Sequence, residues 1–469
     1  MSVKSLYTGQ STNFNEGMLF TDRRDFYIDP QVVKELWTDV APFTTVISNK
    51  ETRATNDPIY KMFEHRNPWV KQSISLGTIA KGTETEVTVP LDDTGLQINN
   101  TANPATPIES IVGLEGEVDS SYSGGVKTSW NGLQVEVWGG SDRLGVGILV
   151  VDASGDLFLK NIGKAAIADM DAMTDVVLEI IGNAQGEGQI APKAWADELT
   201  TVWNSTQIFK TPLEITGTLL QASLRGESSE LARLRAQKNQ EHKMQKEKAF
   251  LFGSRIGDTG GGSSASSFAD HGRTDGDGKK IRTTQGIISA LLDYGATSGD
   301  DQNVFNMVTG SETAADNYNY ANFVEDMEKV FQYVPEQGVK RCFCGAGFLG
   351  YWSQMDASSD SSSMAGTSGW TINLGDMKRD TLGFNYRLLE TPHGMLQLIP
   401  TPALRGNYNK YGLIVSEENL FHAQYRSPMF QANIKTEDAY DGVKDQYFSD
   451  EGIGVSLLES HKLMYVDPA

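Results

Sequence analysis

Two neighbouring stretches decide the fold of this chain: Thr206-Gln207-Ile208-Phe209-Lys210-Thr211-Pro212-Leu213-Glu214-Ile215 and Lys248-Ala249-Phe250-Leu251-Phe252-Gly253. Between them, Ser228 or Ser229 is suited to cap a helix that begins at Glu230. Gly253 stands where helices commonly stop, so the helix is predicted to end at Phe252. At 1.5 Å per residue, it is roughly 36 Å long.

The middle of this helix, from Arg235 to Lys248, is charged nearly all round. A helix that is buried on every side would be apolar, so this one is expected to lie across a surface or along an interface. The spacing predicts two ion pairs along it, Glu230 with Arg233 and Lys243 with Glu247. A solvated helix on an ordinary enzyme would normally carry a stronger apolar face.

The composition describes a globular chain of mixed structure. Its 469 residues are 39% hydrophobic and 22% charged, enough for two or more compact units with ordinary cores. The 47 glycines against 15 prolines favour many turns and strands, and α+β structure is therefore expected. The chain has no run of eighteen apolar residues, and polar residues interrupt its first twenty, so we expect neither a membrane span nor an export signal.

The formal net charge of -21 argues against tight binding of nucleic acid, which depends on clustered Lys and Arg. A container that encloses DNA without gripping it remains compatible with this charge. The two cysteines, Cys342 and Cys344, are two residues apart on a predicted strand, so a bridge between them is geometrically poor. They are expected to be reduced core residues, since none of the six histidines follows them at metal-ligand spacing.

The first half of the chain is predicted to contain mainly strands. A helix is expected at Pro30–Val40 and another at Ala165–Ile181, each with an apolar stripe. The alternating or apolar patterns predict strands at Glu84–Val89, Gly132–Trp138 and Gly147–Val151. Asp92–Asp197 is predicted to form a small domain that is inserted into a longer excursion of two strands.

The second half mixes helices, two polar loops and a series of closing strands. Helices are predicted at Thr284–Tyr294 and Tyr320–Tyr333, and loops at Gly257–Gly278 and Asp356–Gly369. The predicted strands are Val339–Cys344, Phe384–Leu389, Met395–Ile399, Tyr411–Val415, Phe430–Ile434, Gly454–Leu458 and Met464–Val466.

One motif suggests catalysis. Gly345-Ala346-Gly347-Phe348-Leu349-Gly350 matches GxGxxG between a predicted strand and a predicted helix, as a dinucleotide site requires. The surrounding chain lacks the strand and helix alternation of a doubly wound sheet, and the expected acidic residue falls in a Ser-rich loop. A tight strand-to-helix turn is the favoured interpretation, and we predict no catalytic, cofactor-binding or metal-binding residues.

The two opening stretches resemble the corresponding part of a group of tailed-bacteriophage major capsid proteins with the Hong Kong 97-type fold. There, a strand with a similar Thr-Gln-Ile-Phe stretch leads into a long spine helix. The resemblance implies an N-terminal arm at 1–58, an extended loop at 59–91 and 198–216, and an inserted β-rich domain at 92–197. It also implies a peripheral domain at 217–300 with the spine helix at 228–253, an axial domain at 301–404, and return strands of the peripheral domain at 405–469.

The function that this resemblance implies is self-assembly into an icosahedral head. The expected partners are copies of the chain in hexamers and pentamers, a portal, scaffolding or cement proteins, and packaged double-stranded DNA by non-specific proximity, with no membrane. The expected location is the virion, after synthesis in the bacterial cytoplasm. The expected assembly interface on the spine helix and extended loop comprises Phe209, Arg233, Arg235, Lys238, Glu241 and Lys243.

Three alternatives stay open at this point. The first is an encapsulin compartment, which has the same fold and holds an enzyme cargo. The second is another structural protein of a virion, such as a tail tube. The third is a nucleotide-binding enzyme that uses Gly345–Gly350.

Overall fold

A computed structural model shows how the chain folds. It describes residues 41–65, 72–77, 79, 87–91, 94–98, 108–112, 130–140, 142–152, 156–168, 170, 176–188, 199–222, 229–256, 275–298, 301–307, 320–333, 338–351, 374–434 and 441–466. The predicted helix at Pro30–Val40 and the loop at Asp356–Gly369 lie outside these residues, as does most of the loop at Gly257–Gly278.

The described helices and strands confirm the α+β class. The helices are α1 (Pro42–Lys50), α2 (Gly217–Gln221), α3 (Glu230–Phe252), α4 (Ile287–Tyr294) and α5 (Tyr320–Phe331). The strands up to the start of α2 are β1 (Thr52–Ala54), β2 (Ile59–Glu64), β3 (Ser73–Leu76), β4 (Leu96–Gln97), β5 (Ile108–Val112), β6 (Leu133–Gly139), β7 (Asp142–Val151), β8 (Leu157–Asn161), β9 (Val176–Asn183), β10 (Thr200–Ser205) and β11 (Gln207–Thr216). The later strands are β12 (Val304–Asn306), β13 (Val339–Cys344), β14 (Leu374–Arg379), β15 (Asn385–Thr391), β16 (Gly394–Pro400), β17 (Tyr411–Val415), β18 (Leu420–Gln431), β19 (Gly442–Val455) and β20 (Lys462–Tyr465).

The chain divides into two compact units, one made of residues 1–62 and 203–469 and the other of residues 63–202. The chain leaves the first unit along β2 and returns along β10, and these two strands pair with each other. The six named parts of the capsid fold stay predictions, since compactness alone does not identify them.

A four-stranded sheet in the first unit has the order β1-β18-β19-β11. Strand β11 pairs antiparallel with β19 from Gln207 opposite Glu451 to Thr216 opposite Gly442. Its residues alternate between buried and exposed from Phe209 onward, because successive side chains of a strand point to opposite faces. One face of the sheet is therefore covered by α3. On the other, which we name the open face, the side chains of β11 are exposed, although Phe448 and Asp450 of β19 are buried.

A seven-stranded sheet in the first unit has the order β12-β20-β17-β13-β16-β15-β14. Helix α5 contributes Phe323, Met327, Val330 and Phe331 to its core, as the sequence predicts. Cys342 and Cys344 are free and buried in the same core, which confirms the prediction for both thiols.

The second unit contains another seven-stranded sheet, of order β4-β8-β7-β6-β9-β3-β5. The strands predicted at Gly132–Trp138 and Gly147–Val151 are confirmed as β6 and part of β7. The helix predicted at Ala165–Ile181 is wrong, because Val176–Asn183 is strand β9 and Ile167 forms a bridge with Val89. Four of the first six residues of β9 are β-branched, which favours a strand, and β9 is paired on both sides.

The strands predicted at Phe430–Ile434 and Gly454–Leu458 are wrong in extent. They are opposite ends of one long antiparallel hairpin formed by β18 and β19. Acidic residues within β19, such as Asp445 and Glu451, interrupt the apolar pattern from which a strand is predicted. The strand nevertheless continues through them, because β19 pairs with β11 and β18 there. The other closing strands are confirmed within a few residues of their predicted bounds.

Candidate functional site

Helix α3 begins and ends where local chemistry predicts. The Ser229 side chain accepts a hydrogen bond from the backbone N–H of Ala232 and so caps the first turn. At the other end, Gly253 does not adopt the left-handed conformation that often ends helices, since its φ is -57°. A Cβ at Gly253 would clash with the carbonyl oxygens of Ala249 and Thr284, so glycine is required there by close packing.

The buried side of α3 combines apolar and polar groups. His242, Glu247, Phe250 and Leu251 are buried, and Phe250 packs edge-on against Phe209 of β11 with ring centroids 6.2 Å apart. The predicted pair of Glu230 with Arg233 is confirmed. The predicted pair of Lys243 with Glu247 is wrong, because Lys243 is exposed while the fully buried Glu247 carboxylate is bonded to Phe43 and Thr44.

Glu247 instead caps α1, an element about 200 residues away in sequence. Its carboxylate accepts hydrogen bonds from the N–H groups of Phe43 (3.0 Å) and Thr44 (2.7 Å) and from the Thr44 hydroxyl (2.6 Å). The residue at the start of α1, Ala41, provides no side-chain cap of its own. Burial raises the pKa of Glu247, although these three hydrogen bonds oppose the shift. Glu247 thus joins α1 to α3.

Strand β19 carries three fully buried carboxylates. Asp445 pairs with Arg235 of α3 at 2.7 Å, and Glu451 pairs with Lys246 of α3 at 3.1 Å. Glu451 also lies 3.3 Å from His422 of β18. Burial tends to raise the pKa of Glu451, but the bonds from His422 and Lys246 outweigh burial and lower it. Both carboxylates face α3 and tie it to the sheet.

The third carboxylate, Asp450, lies on the opposite, open face. It pairs with Arg426 at 3.0 Å and with Arg282 at 3.2 Å. The Arg426 guanidinium also covers the ring of Phe448, 4.4 Å from its centroid. The open face is the set of side chains that points away from α3: Ile208, Lys210, Pro212, Glu214, Arg282, Arg426, Met429, Lys444, Gln446, Phe448 and Asp450.

The open face is cationic with isolated apolar groups. Ile208 is 42% exposed and Met429 is 43% exposed. Lys210, Lys444, Arg282 and Arg426 outnumber the two acidic residues, Glu214 and Asp450. Its net positive charge is what distinguishes this face, since single exposed apolar side chains are common on protein surfaces.

His242 makes α3 sensitive to acid. Its ring nitrogens lie 3.0 Å from the Thr211 hydroxyl and 3.0 Å from the Ser449 hydroxyl. Burial, with a smaller effect of Lys246, lowers its pKa to about 4. The unfolded chain therefore binds a proton near pH 6.5 that the folded chain does not bind until about pH 4.

The free energy of unfolding is expected to fall between pH 6.5 and pH 4 because of His242, by up to about 1.4 kcal/mol per pH unit. Urea unfolding at a series of pH values tests this. In His242→Gln, which keeps polar contacts to both hydroxyls but does not titrate, the slope is expected to be smaller. An unchanged slope would show that other groups cause the acid sensitivity.

The model for the SU10 major capsid protein family matches residues 8–453. The chain belongs to this family. The major capsid function of a tailed bacteriophage, predicted from the resemblance, is therefore confirmed, and so is a place in the virion. The family also agrees with the predicted Hong Kong 97-like capsid fold.

Solved structures similar to this capsid protein include other shells. The capsid of a native GTA particle is 9% identical and covers 96% of this chain and 97% of its own, with a TM-score of 0.41. The capsid of cyanophage P-SCSP1u is 8% identical over 61% of this chain and 80% of its own, with a TM-score of 0.33. The holo-SrpI encapsulin complex from Synechococcus elongatus PCC 7942 is 7% identical over 58% of this chain and 77% of its own, with a TM-score of 0.34. No curated protein matches the chain. The assignment rests on the family match.

The six predicted interface residues of the capsid protein occupy different environments. Phe209 is buried between α3 and the sheet, so its side chain packs the interior of this chain. Arg233 pairs with Glu230, Lys238 with Glu241, and Arg235 with Asp445. Lys243 is exposed. Five of the six therefore lie along α3 with at least part of the side chain at the surface.

The glycine motif of the capsid protein has a structural explanation. The Gly347 N–H donates to the Asn409 side chain at 3.1 Å, and the Phe348 N–H donates to the Asn409 carbonyl oxygen at 3.1 Å. A Cβ at Gly345 or Gly347 would clash with Asn409. The amides that would cradle a pyrophosphate thus hold the chain itself, which supports the tight-turn interpretation.

None of the described ranges brings together three or more His, Cys, Asp or Glu side chains that could hold a metal ion. No helix in the described part of the capsid protein combines the length and apolar character needed to cross a membrane.

The buried acidic residues of β19 and the cap formed by Glu247 are not predictable from local sequence patterns. Their partners lie about 200 residues away, except for those on β18. The one available signal was the position of Asp450 and Glu451 within a run of strand-forming residues, where charge is normally avoided.

Proposed function

We propose that this capsid protein assembles with copies of itself, as hexamers and pentamers, into a closed icosahedral shell that encloses double-stranded DNA. The family match over residues 8–453 supports this proposal most directly. It also favours a phage head over an encapsulin-like compartment, because the family is one of phage capsid proteins. Synthesis in the bacterial cytoplasm, and contacts with a portal and with scaffolding or cement proteins, belong to the same proposal.

The proposed role is structural and not enzymatic. The first two glycines of the GxGxxG motif, Gly345 and Gly347, pack against Asn409, so the one catalytic lead in the sequence has a packing role instead. In this proposal α3 is the spine helix and, with the four-stranded sheet, forms the peripheral domain. Strands β2 and β10 form the base of the extended loop, and the inserted domain contributes strands to the seven-stranded sheet of residues 63–202.

We place one subunit contact on the open face. Its apolar residues, Ile208 and Met429, are each more than 40% exposed, and its net charge is positive. Residues 63–202 contain 20 Asp and Glu against eight Lys and Arg, so this segment is the strongly acidic part of the chain. Opposite charge favours a contact between the open face of one copy and the acidic segment of another.

A second contact is proposed along the exposed parts of α3, through Arg233, Arg235, Lys238, Glu241 and Lys243. Their ion pairs with neighbours in the same chain leave the helix surface polar and of mixed charge. Such rim contacts contribute little energy individually and mainly fix orientation. Phe209 supports this surface from beneath by packing against Phe250.

Electron microscopy of the expressed protein tests the proposal. Closed icosahedral shells are expected, either from the chain alone or with the neighbouring proteins of its genome. Stacked rings would identify a tail tube, and a small oligomer that never assembles would contradict the proposal.

Ile208→Glu is expected to reduce the yield of closed shells at least about tenfold, equivalent to about 1.4 kcal/mol per contact. A carboxylate on the open face would lose apolar contact and meet an acidic partner, while folding should change little because Ile208 is 42% exposed. Leu292→Glu is the matched control, since Leu292 is 49% exposed on α4, outside the open face. Equal loss of shells in both variants would contradict a specific role of the open face.

A further inference from the structure

The strand pair β2 and β10 is anchored in the first unit by a buried asparagine. Asn204 is 4% exposed, and its side-chain N–H groups donate to the carbonyl oxygens of Gln285 (3.0 Å) and Ile453 (2.7 Å). Its side-chain oxygen accepts from the N–H groups of Ser205 (2.8 Å) and Gln285 (2.9 Å). All four hydrogen-bonding positions of this amide are therefore used.

Further bonds surround Asn204. The Tyr60 hydroxyl of β2 donates to the same Ile453 carbonyl oxygen at 2.6 Å. The Ser205 hydroxyl donates to the Thr283 carbonyl oxygen at 2.7 Å. Together, Tyr60 and residues 203–205 form what we name the root of the strand pair. It is bonded to β19 and to the segment 283–285 that precedes α4.

The packing at the root leaves little space for movement. A Cβ at Gly452 of β19 would meet the Tyr60 hydroxyl oxygen and the Ser205 carbonyl oxygen. The Arg255 guanidinium lies 4.0 Å from the centroid of the Trp203 ring and donates to the Trp203 carbonyl oxygen. The first residues of the strand pair are thus held by three separate segments of the first unit: backbone groups of β19, backbone groups of residues 283–285, and the Arg255 side chain.

Several of the next residues along the strand pair are exposed, although Met62 and Glu64 of β2 are buried. Phe63 is 73% exposed, Leu199 is 58% exposed, and Thr200 and Thr201 are also exposed. A two-stranded ribbon is only marginally stable by itself, so it cannot determine its own direction. Contacts within the first unit therefore hold the strand pair at Tyr60 and residues 203–205.

We infer that the root, with Asn204 as its central positioning residue, fixes the direction in which β2 and β10 leave the first unit and thereby selects the copies that the strand pair reaches in the shell. This inference rests on the proposed assembly function. It assigns to a hydrogen-bonded amide a role in particle geometry beyond its role in stability. A loosened root lets the strands leave in several directions, and copies then meet in several ways.

The test compares Asn204→Ala with Asn303→Ala in the full chain. Asn303 is a matched control, because it is 3% exposed and its side chain donates to the carbonyl oxygens of Leu458 (2.8 Å) and His461 (2.9 Å) and accepts from the Ala296 N–H (3.1 Å). It lies in the same unit but not at the root. Both variants are expected to lower the melting temperature to a similar extent.

Only Asn204→Ala is expected to change geometry. Hydrogen exchange of residues 59–64 and 200–205 in the dissociated subunit should rise at least about tenfold in Asn204→Ala and remain unchanged in Asn303→Ala. Electron microscopy should show particles of mixed diameter or open sheets for Asn204→Ala, and uniform shells for Asn303→Ala below its melting temperature. Tyr60→Phe, which removes one hydrogen bond, should shift both readouts in the same direction by less.

Equal exchange in the two asparagine variants, or uniform shells from Asn204→Ala despite faster exchange, would overturn the inference. If Asn204→Ala does not fold, Tyr60→Phe against the same control decides the question. A wild-type chain that forms no shells would contradict the proposed function, and the exchange measurement would still decide whether Asn204 holds the root.

Discussion

Glu451→Ala is expected to lower the free energy of unfolding of the first unit by about 3–5 kcal/mol. Glu451 is fully buried in β19, and its partners Lys246 and His422 have only 12% and 7% of their side chains exposed. Removing the carboxylate leaves the Lys246 charge in a buried environment with no counter-charge from β19. Urea unfolding of the dissociated subunit measures the effect.

Glu214→Ala is the matched control for Glu451→Ala. Glu214 also pairs with a lysine across the same sheet, Lys444 at 3.5 Å, but the two side chains are 48% and 31% exposed. Exposed pairs contribute at most about 1 kcal/mol, so this substitution should change unfolding little. Similar losses in the two variants would show that burial does not control the strength of these pairs.

The same pair predicts a pH dependence. Burial raises the pKa of Glu451 in the folded chain, but its interactions with His422 and Lys246 outweigh burial, so the pKa is lowered. Its stabilising contribution is therefore present above the ordinary carboxyl pKa and is lost as the pH falls through the lowered value. In Glu451→Gln, this part of the acid sensitivity should disappear.

Phe250→Ala is expected to destabilise the first unit by about 3–5 kcal/mol, because it leaves a cavity between α3 and the sheet. Phe250 is 1% exposed, and its ring centroid lies 6.2 Å from that of Phe209 and 5.8 Å from that of His422. A weakened α3 would also lose the cap that Glu247 provides to α1. We therefore expect faster hydrogen exchange in both helices and fewer closed shells.

Phe430→Ala provides the comparison for Phe250→Ala. Phe430 is 41% exposed on β18, with its ring centroid 4.9 Å from that of Tyr447. Its removal opens no closed cavity, so we expect a loss below about 1.5 kcal/mol. A loss as large as that for Phe250 would mean that the α3 interface is not the main apolar contact of this sheet.

Much of the local structure could be predicted from the residues alone. Helix α3 has an N-cap serine, a long run of helix-forming residues and a glycine stop, and each of these signals acts within a few residues. The apolar stripe of α5 and the alternation of β6 are equally local. These elements were predicted correctly because their pattern has one reading.

The helix expected at Ala165–Ile181 failed for the opposite reason. Its apolar spacing is compatible with a helix, but the residues of β9 are also good strand formers. Pairing with β3 on one side and β6 on the other decided between the two structures. That choice depends on segments that are about 40 to 100 residues away, and a window of sequence does not contain them.

The residues of the candidate site also divide into those that local sequence predicts and those that it does not. The charge of α3 predicted a helix at a surface, and Arg233, Lys238, Glu241 and Lys243 are at least partly exposed, as that prediction requires. The sequence did not predict that Glu247 is buried, since its bonding partners, Phe43 and Thr44, belong to a separate helix. A charged side chain is recognised as buried only when its partners are known.

The stretch Thr206–Gly253 by itself determined the long helix, its bounds and the capsid family that the stretch resembles, because capping and residue type are written along the chain. The tertiary structure alone decided which charges are buried, which face of the sheet stays open, and that Asn204 anchors β10 at its root. Those features arise when distant segments meet, since hydrogen bonds and ion pairs depend on distances in space that no local pattern encodes.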